Sequence, residues 1–555
     1  MKKGEILEGM IEELQFPNKG ILHADNRTIT IKNSVPGQKV RYSVSKVRKD
    51  RAEGRLLEVT EKADYELDEA NCSHFGICGG CSYQNLPYEK QLEIKQSQVK
   101  RLLDPVLRED GRSFDALFEE LHHSPKQFEY RNKMEFTFGD EVKDGPLSLG
   151  MHKRGSFYDI VPVRECRIVD EDYRKILSAT IGFFSEKGIP YYHRMRHDGI
   201  LRHLLVRKAA KTGEILIDLV TTGDNGIQAV CQEYAELLLG LELEGRISGI
   251  LHTVNESLAD VIRDDGTEIL YGEDHINEEL LGLRFQISPF SFFQTNSLGA
   301  EVLYSVVRDF VALKNDPVVY DLYSGTGTIA QILSPAAGQV IGVEIVEEAV
   351  EAAKENAKLN GLSNCSFLCG DVLKALDDIE TLPDFIVLDP PRDGIHPKAL
   401  KKIIDYGVES MVYVSCKPTS LARDLVTLQA GGYHVQKIAL VDMFPGTVHV
   451  ESVALLGREI VNDKNVEYMH VDYEPEDAEY LKGFKGSATY AEIKKWIKEQ
   501  YNVSVSSLYI AQCKDECGFE KRQNFNTGAE GHRVPNCPAE KRELIMKAFK
   551  HFKMI

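Results

Sequence analysis

The stretch Val318-Val-Tyr-Asp-Leu-Tyr-Ser-Gly-Thr-Gly-Thr328 decides the fold. A short apolar run reads as a buried strand, and it passes directly into a turn with two glycines. Outward from it the same pattern recurs. Gln339-Val-Ile-Gly-Val-Glu344 is followed by a helical run from Glu347 to Asn360. Asp384-Phe-Ile-Val-Leu-Asp389 and Met411-Val-Tyr-Val-Ser415 are two further buried-strand signals. Strands alternating with helices over residues 286–458 imply a doubly wound, Rossmann-like α/β sheet, with ligands at the carboxyl ends of its strands.

Strand, glycine turn and helix together place backbone amides beside a ligand. The turn lacks the GxGxxG spacing of dinucleotide enzymes. Glu344 ends the next strand, 17 residues beyond Gly327, where a carboxylate can accept from both hydroxyls of a ribose. Asp371 follows Phe367-Leu-Cys-Gly370 at the end of a third strand, and Asp389 ends a fourth. Taken singly, each acid is more often a helix cap or a solvated loop residue. Three at successive strand ends behind a glycine loop point to S-adenosylmethionine (SAM), which carries ribose and adenine but no pyrophosphate.

Cys416 sits between the strand Met411–Ser415 and a Lys-Pro turn, at the ligand-binding end of the expected sheet. A lone cysteine is usually inert packing, and Cys231, Cys365 and Cys369 are read that way. A cysteine at Cys416's position suggests an enzyme that attacks its substrate before methylating it. Uracil C5 needs such chemistry, because it is a poor nucleophile until a thiolate adds at C6. A base must then remove the C5 proton. Glu451, in His449-Val-Glu-Ser-Val453, is the candidate base. Arg392, in Asp389-Pro-Pro-Arg392, either lowers the thiol pKa or holds the uracil. Cytosine C5 chemistry typically uses a Pro-Cys pair, and no cysteine here follows a proline.

These residues resemble the RNA uracil-5-methyltransferase family, from the start of the chain to about residue 458. The resemblance implies that Gln294 (in Phe292-Phe-Gln-Thr-Asn296), Tyr323, Thr328, Glu344, Asp371 and Asp389 contact SAM. It also implies a TRAM-like, OB-like RNA-binding β-barrel over 1–60 and a central, mostly β domain over 61–285. The methyltransferase domain follows over 286–458. The substrate implied is a uridine in RNA, with 23S ribosomal RNA favoured and transfer RNA the alternative. A competing class is a non-catalytic RNA-binding or ribosome-assembly factor.

Cys72-x5-Cys78-x2-Cys81 lies among Gly76, Gly79 and Gly80, and Cys166 is the obvious fourth ligand. Four thiolates hold either zinc or an iron–sulfur cluster. Three close cysteines and a remote one suit [4Fe–4S] better than paired CxxC hairpins, and members of the resembled family share this spacing and such a cluster. The CxxxCxxC spacing of radical-SAM enzymes is not met.

Across 555 residues, hydrophobic content is 43% and charged content 28%, the balance of a soluble multidomain protein. No apolar run reaches the length of a membrane span, and the start, Met1-Lys2-Lys3-Gly4-Glu5, lacks an apolar leader. A cytoplasmic monomer with reduced cysteines is expected. Net charge of −19 argues against nucleic acid, but Arg27 to Arg55 holds nine Lys or Arg against Asp50 and Glu53. Alternation in Arg27–Lys32 and Lys39–Arg48 around a Pro36-Gly37 turn predicts strands with a basic face.

Residues 461–555 form a helical appendage outside the resemblance. An acidic linker leads to a capping box, Thr489-Tyr-Ala-Glu492. An apolar stripe of Ile493, Trp496, Ile497 and Tyr501 follows, then a second helix over 506–517 and a basic helix over 539–552. The helix pair is helix-turn-helix-like. Cys513, Cys517, His532 and Cys537 are irregularly spaced for zinc.

Overall fold

An eight-stranded sheet occupies the region where strand and helix patterns alternate. The structure is a computed structural model. It describes residues 1–458 except 224–225, 259–261, 373–374 and 376–381, and beyond these 490–501, 539–551 and positions 503, 505, 509, 510 and 513. In chain order the strands are β1 (Phe118–His122), β2 (Val318–Leu322), β3 (Gln339–Glu344), β4 (Cys365–Cys369), β5 (Phe385–Leu388), β6 (Ser410–Ser415), β7 (Tyr433–Val441) and β8 (Glu451–Arg458). Their spatial order is β4-β3-β2-β5-β6-β8-β7-β1. The first five in this order are parallel, β8 is antiparallel to both β6 and β7, and β1 is parallel to β7.

Both faces of the sheet are covered, so its strands read as continuous apolar runs. Side chains alternate between two cores. Val319, Val340, Val387, Val412 and Val414 join one with the helix Ser297–Val311. Tyr320, Leu322, Ile341, Val343, Ile386, Leu388 and Tyr413 join the other, with the helices Tyr88–Glu109, Pro397–Tyr406 and Pro418–Ala430. The strands that Tyr323 and Glu344 were expected to close end at Leu322 and Glu344. β1 and the helix Tyr88–Glu109 come from the range assigned by sequence to the central domain. Phe118-Glu-Glu-Leu-His122 has two adjacent acids and no alternation, because it is an edge strand whose two acids are exposed and whose Leu121 alone is buried.

Preceding this region, a six-stranded sheet is built from Ile6–Met10, Lys39–Val47, Arg51–Glu61, Arg27–Lys32, Lys19–Ala24 and Glu13–Gln15, in that spatial order. Its core includes Ile29, Ile31, Val40, Tyr42 and Val44. Part of its positive charge is matched locally: Lys39 pairs with Glu61 at 2.8 Å and Arg41 pairs with Glu58, acids just beyond the basic stretch. A seven-stranded, mostly antiparallel sheet follows, with the strand Lys133–Asp140 beside Leu201–Lys208 and that beside Glu214–Thr221. Cys78, Cys81 and Cys166 pack against its core.

The chain divides into two compact units, Met1–Ile460 and Val461–Ile555. The second has its own core. Ile493 and Ile497 of the helix Tyr490–Tyr501 are buried with Ile545, Ala548 and Phe549 of the helix Ala539–His551. Tyr501, placed by sequence on the apolar stripe, is exposed. Cys513 is buried in the same apolar cluster, while Cys517, His532, Cys537, the acidic linker and most of the expected second helix lie outside the described residues. No helix among the described residues is long and apolar enough to cross a membrane.

Candidate active site

The parallel strands deliver their last residues to one edge. Tyr323 follows β2, Glu344 ends β3, Asp389 follows β5 and Cys416 follows β6. β8 runs the other way, and its register pairs Ser415 with Ser452. Its first residue, Glu451, is thereby brought to the edge where Cys416 lies. A cavity of about 1090 Å³ opens there, lined by Gln294, Tyr323, Thr328, Glu344, Asp389, Arg392, Cys416 and Glu451. Asp371 lines an adjoining cavity of about 360 Å³, which shares Tyr323 and Glu344 with the first.

The glycine turn is set by backbone geometry. Tyr323 has φ 70°, uncommon for a residue with a side chain. Gly327 has φ 72°, and a Cβ there would meet Phe367 at 2.5 Å and Ala353 at 2.8 Å, so no larger residue fits. Glu344 is held in place by its own strand end. Its carboxylate accepts from Gly325 N at 3.0 Å, Ile345 N at 2.8 Å and Val346 N at 3.0 Å. Asp321 accepts from Ala330 N at 3.0 Å through one oxygen, while the other is buried without a hydrogen-bond partner.

Near Cys416, buried acids gather around Arg392. Burial, then repulsion from Asp389, pushes the Glu451 carboxyl up to about 8, with Arg392 opposing. Burial alone pushes Asp389 up to about 7. The Cys416 thiol is pushed up to about 11 by burial and by the charges of Glu451 and Asp389. Arg392 acts against this by charge and by hydrogen bonding to the thiol. The sequence left two roles open for Arg392, and in this geometry it sits beside the thiol and Glu451 together. Protonated carboxyls at neutral pH remove the repulsion that hinders thiolate formation.

Sequence reasoning did not single out several lining residues. His449 lines the cavity edge-on to the Phe444 ring, and burial with nearby cations pushes it down to about 4, so it is neutral at physiological pH. Its signal was present two residues before Glu451. Arg131 reaches the cavity from the central region, and no local pattern marks it. Phe292 is 69% exposed at the cavity, beside buried Phe293.

None of the four cysteines is in a disulfide. Cys72, Cys78, Cys81 and Cys166 each lie within electrostatic reach of the other three. Gly80 N donates to Cys78 Sγ at 3.3 Å and Gln84 Nε2 to Cys81 Sγ at 3.6 Å. Among the described residues, however, no group of three or more His, Cys, Asp or Glu is disposed to hold a metal ion. The four sulfurs gather in one neighbourhood.

Residues 249–459 match the model of the tRNA (uracil-5-)-methyltransferase family. An uncharacterized RNA methyltransferase of Clostridium tetani is 50% identical over 458 residues, spanning 82% of this chain and 99% of that protein. Another, from Clostridium acetobutylicum, is 49% identical over 461 residues, spanning 83% and 99%. Among solved structures, the Pyrococcus abyssi tRNA (uracil-54, C5)-methyltransferase in complex with S-adenosyl-L-homocysteine superposes with a TM-score of 0.65 at 27% identity. That superposition covers 81% of this chain and all of the archaeal one. With these relatives and this cavity, the chain belongs to the RNA uracil-5-methyltransferase family and is an RNA methyltransferase.

Proposed function

We propose that the enzyme methylates C5 of a specific uridine through a covalent bond between Cys416 Sγ and uracil C6. The observation that supports it most is the meeting of Cys416, Glu451 and Arg392 in the cavity that also holds Gln294, Tyr323, Thr328 and Glu344. Bound SAM supplies an electrophilic methyl group and leaves as S-adenosylhomocysteine. Cys416 gives up its proton to solvent water and its sulfur bonds to C6, so the C5=C6 electron pair becomes available at C5 for the methyl group. Once C5 carries the methyl group, the Glu451 carboxylate takes the remaining C5 proton. The C–H pair restores C5=C6, the Sγ–C6 bond breaks, and its electrons return to Cys416. With its value raised to about 8, Glu451 is mostly neutral while the thiolate forms, and it loses its own proton to solvent before it acts as the base. In this reading Glu344 holds the ribose, and Gln294, Tyr323, Thr328, Asp371 and Asp389 complete the SAM site.

The residues 1–60 serve as a TRAM-like RNA-binding barrel, 61–285 as the central domain and 286–458 as the methyltransferase domain with a Rossmann-like sheet. Cys72, Cys78, Cys81 and Cys166 hold a [4Fe–4S] cluster. Their four thiols fit its donor set, and each lies within electrostatic reach of the other three. Ribosomal RNA is the target we favour and a cytoplasmic setting the one that suits cysteines outside any disulfide; the archaeal neighbour acts on tRNA. RNA carrying 5-fluorouridine tests the chemistry, since fluorine at C5 cannot leave as a proton. A denaturation-stable, SAM-dependent protein–RNA complex should accumulate and vanish in Cys416→Ala. Trapping that persists in that variant excludes Cys416 as the nucleophile.

A further inference from the structure

Three large apolar side chains are exposed close together: Phe157 is 80% exposed, Met195 66% and Tyr158 59%. They occupy two turns, 153–159 and 192–198, that are pinned to each other. Arg194 Nη1 donates to Phe157 O at 3.3 Å, and the Tyr158 hydroxyl lies 4.0 Å from Met195 Sδ. Each turn is braced internally, by Ser156 N to Lys153 O at 3.0 Å and His197 N to His193 O at 2.7 Å. A cluster of exposed apolar groups on a fixed backbone calls for an occupant.

Charge and position name it. The two turns carry Lys153, Arg154, Arg194 and Arg196 against Asp159 and Asp198, an excess of positive charge on a chain of net charge −19. The first turn is hydrogen-bonded to the cysteine loop, one residue of which lines the reaction cavity. Gly79 N donates to His152 O at 3.0 Å, Arg154 N to Ile77 O at 2.7 Å and the Arg154 guanidinium to Cys81 O, while Gly80, between those cysteine-loop residues, lines the cavity itself.

We propose that Phe157, Tyr158 and Met195 form a stacking platform for unpaired nucleotides flanking the target uridine, with Lys153, Arg194 and Arg196 meeting their phosphates. This rests on the reading of the cavity as a uridine site. Aromatic faces beside Arg and Lys take single-stranded bases without regard to sequence, whereas a duplex hides its base faces. The platform therefore selects a looped or single-stranded target.

The probe is fluorescein-labelled oligouridine of about 12 nucleotides, within the span of one single-strand site. Binding by the full chain should weaken about five- to a hundredfold in Phe157→Ala and in Tyr158→Ala, the loss expected for one stacked base. A duplex of the same length should bind as before. Phe157→Trp should keep wild-type affinity, and it carries the test if the alanine variants melt lower. On RNA from a deletion strain, KM for RNA should rise while kcat holds. Unchanged oligouridine affinity in the folded alanine variants, weakened affinity in Phe157→Trp, or equal weakening for single strand and duplex overturns the platform. Absence of 5-methyluridine formation by the wild-type enzyme instead overturns the uridine reading and leaves the binding result standing.

Discussion

Lys95 Nζ lies 2.6 Å from Asp442 Oδ1, and both side chains are completely buried. The same ammonium donates to Phe444 O at 3.1 Å. Gln91, on the same helix, accepts from Gly446 N at 2.7 Å, and Ser82 N and Tyr83 N both donate to Gly446 O. The segment after Cys81 and the helix Tyr88–Glu109 thus grip the loop 442–449, which carries Phe444, Thr447 and His449 to the cavity and leads into Glu451. Lys95→Met strands a buried carboxylate and should destabilise by about 3–5 kcal/mol in chemical denaturation. The double variant Lys95→Met, Asp442→Leu should recover most of that stability, yet kcat should stay depressed because the Lys95 hold on Asp442 and Phe444 O is lost. Full recovery of kcat with stability would reduce the pair to packing.

The thiol of Cys416 should alkylate slowly at neutral pH, with a midpoint pushed up to about 11. Glu451 is ionised in that range, since its own value is about 8, so it opposes the thiolate there. Glu451→Gln should therefore move the iodoacetamide profile to lower pH, and Arg392→Gln should move it to higher pH. Opposite signs for the two variants are the expected result, and shifts in the same direction would contradict the charge arrangement.

Glu451 also makes stability depend on pH. Its folded value, about 8, lies above the ordinary 4.5, so the unfolded chain releases this proton first as pH rises. The native state's relative stability is full below 4.5 and declines up to about 8. Glu451→Gln removes this titration. Its melting temperature should fall less steeply than that of the wild type across that window, and a constant gap between the two would count against a protonated Glu451.

The cavity's first half was legible because each element announces itself locally. A glycine turn after an apolar run, an acid at a strand end and a cysteine before Lys-Pro all lie within a few residues of their strands. Glu451 carries no such local mark, since its place beside Cys416 depends on β8 running antiparallel to β6. Lys95 illustrates what sequence hides. The helix Tyr88–Glu109 is polar in composition, yet it buries Gln91, Lys95 and Gln98, and the partners of Gln91 and Lys95 lie hundreds of residues away. The cysteine set shows the converse: spacing predicted the gathering of four thiols, but not whether they close on a single ion.

The unit Val461–Ile555 has a core of its own, and β8 is complete at Arg458, whose guanidinium lies 5.7 Å from the Tyr433 ring centre. Ending the chain at Arg458 therefore removes no strand of the catalytic sheet. Residues 533–555 hold six Lys or Arg against Glu540 and Glu543, and Glu543 already pairs with Lys547 at 2.8 Å. A tethered basic module adds affinity for RNA rather than chemistry. Truncation after Arg458 should leave turnover at saturating RNA nearly unchanged while raising the RNA concentration needed to reach it. The slope of log affinity against log salt should flatten by about 0.7–0.9 for each phosphate that the truncated enzyme no longer neutralises. A truncated enzyme that fails to bind SAM would mark the unit as packing for the catalytic fold, and unchanged affinity in a well-folded truncation would remove it from RNA recognition.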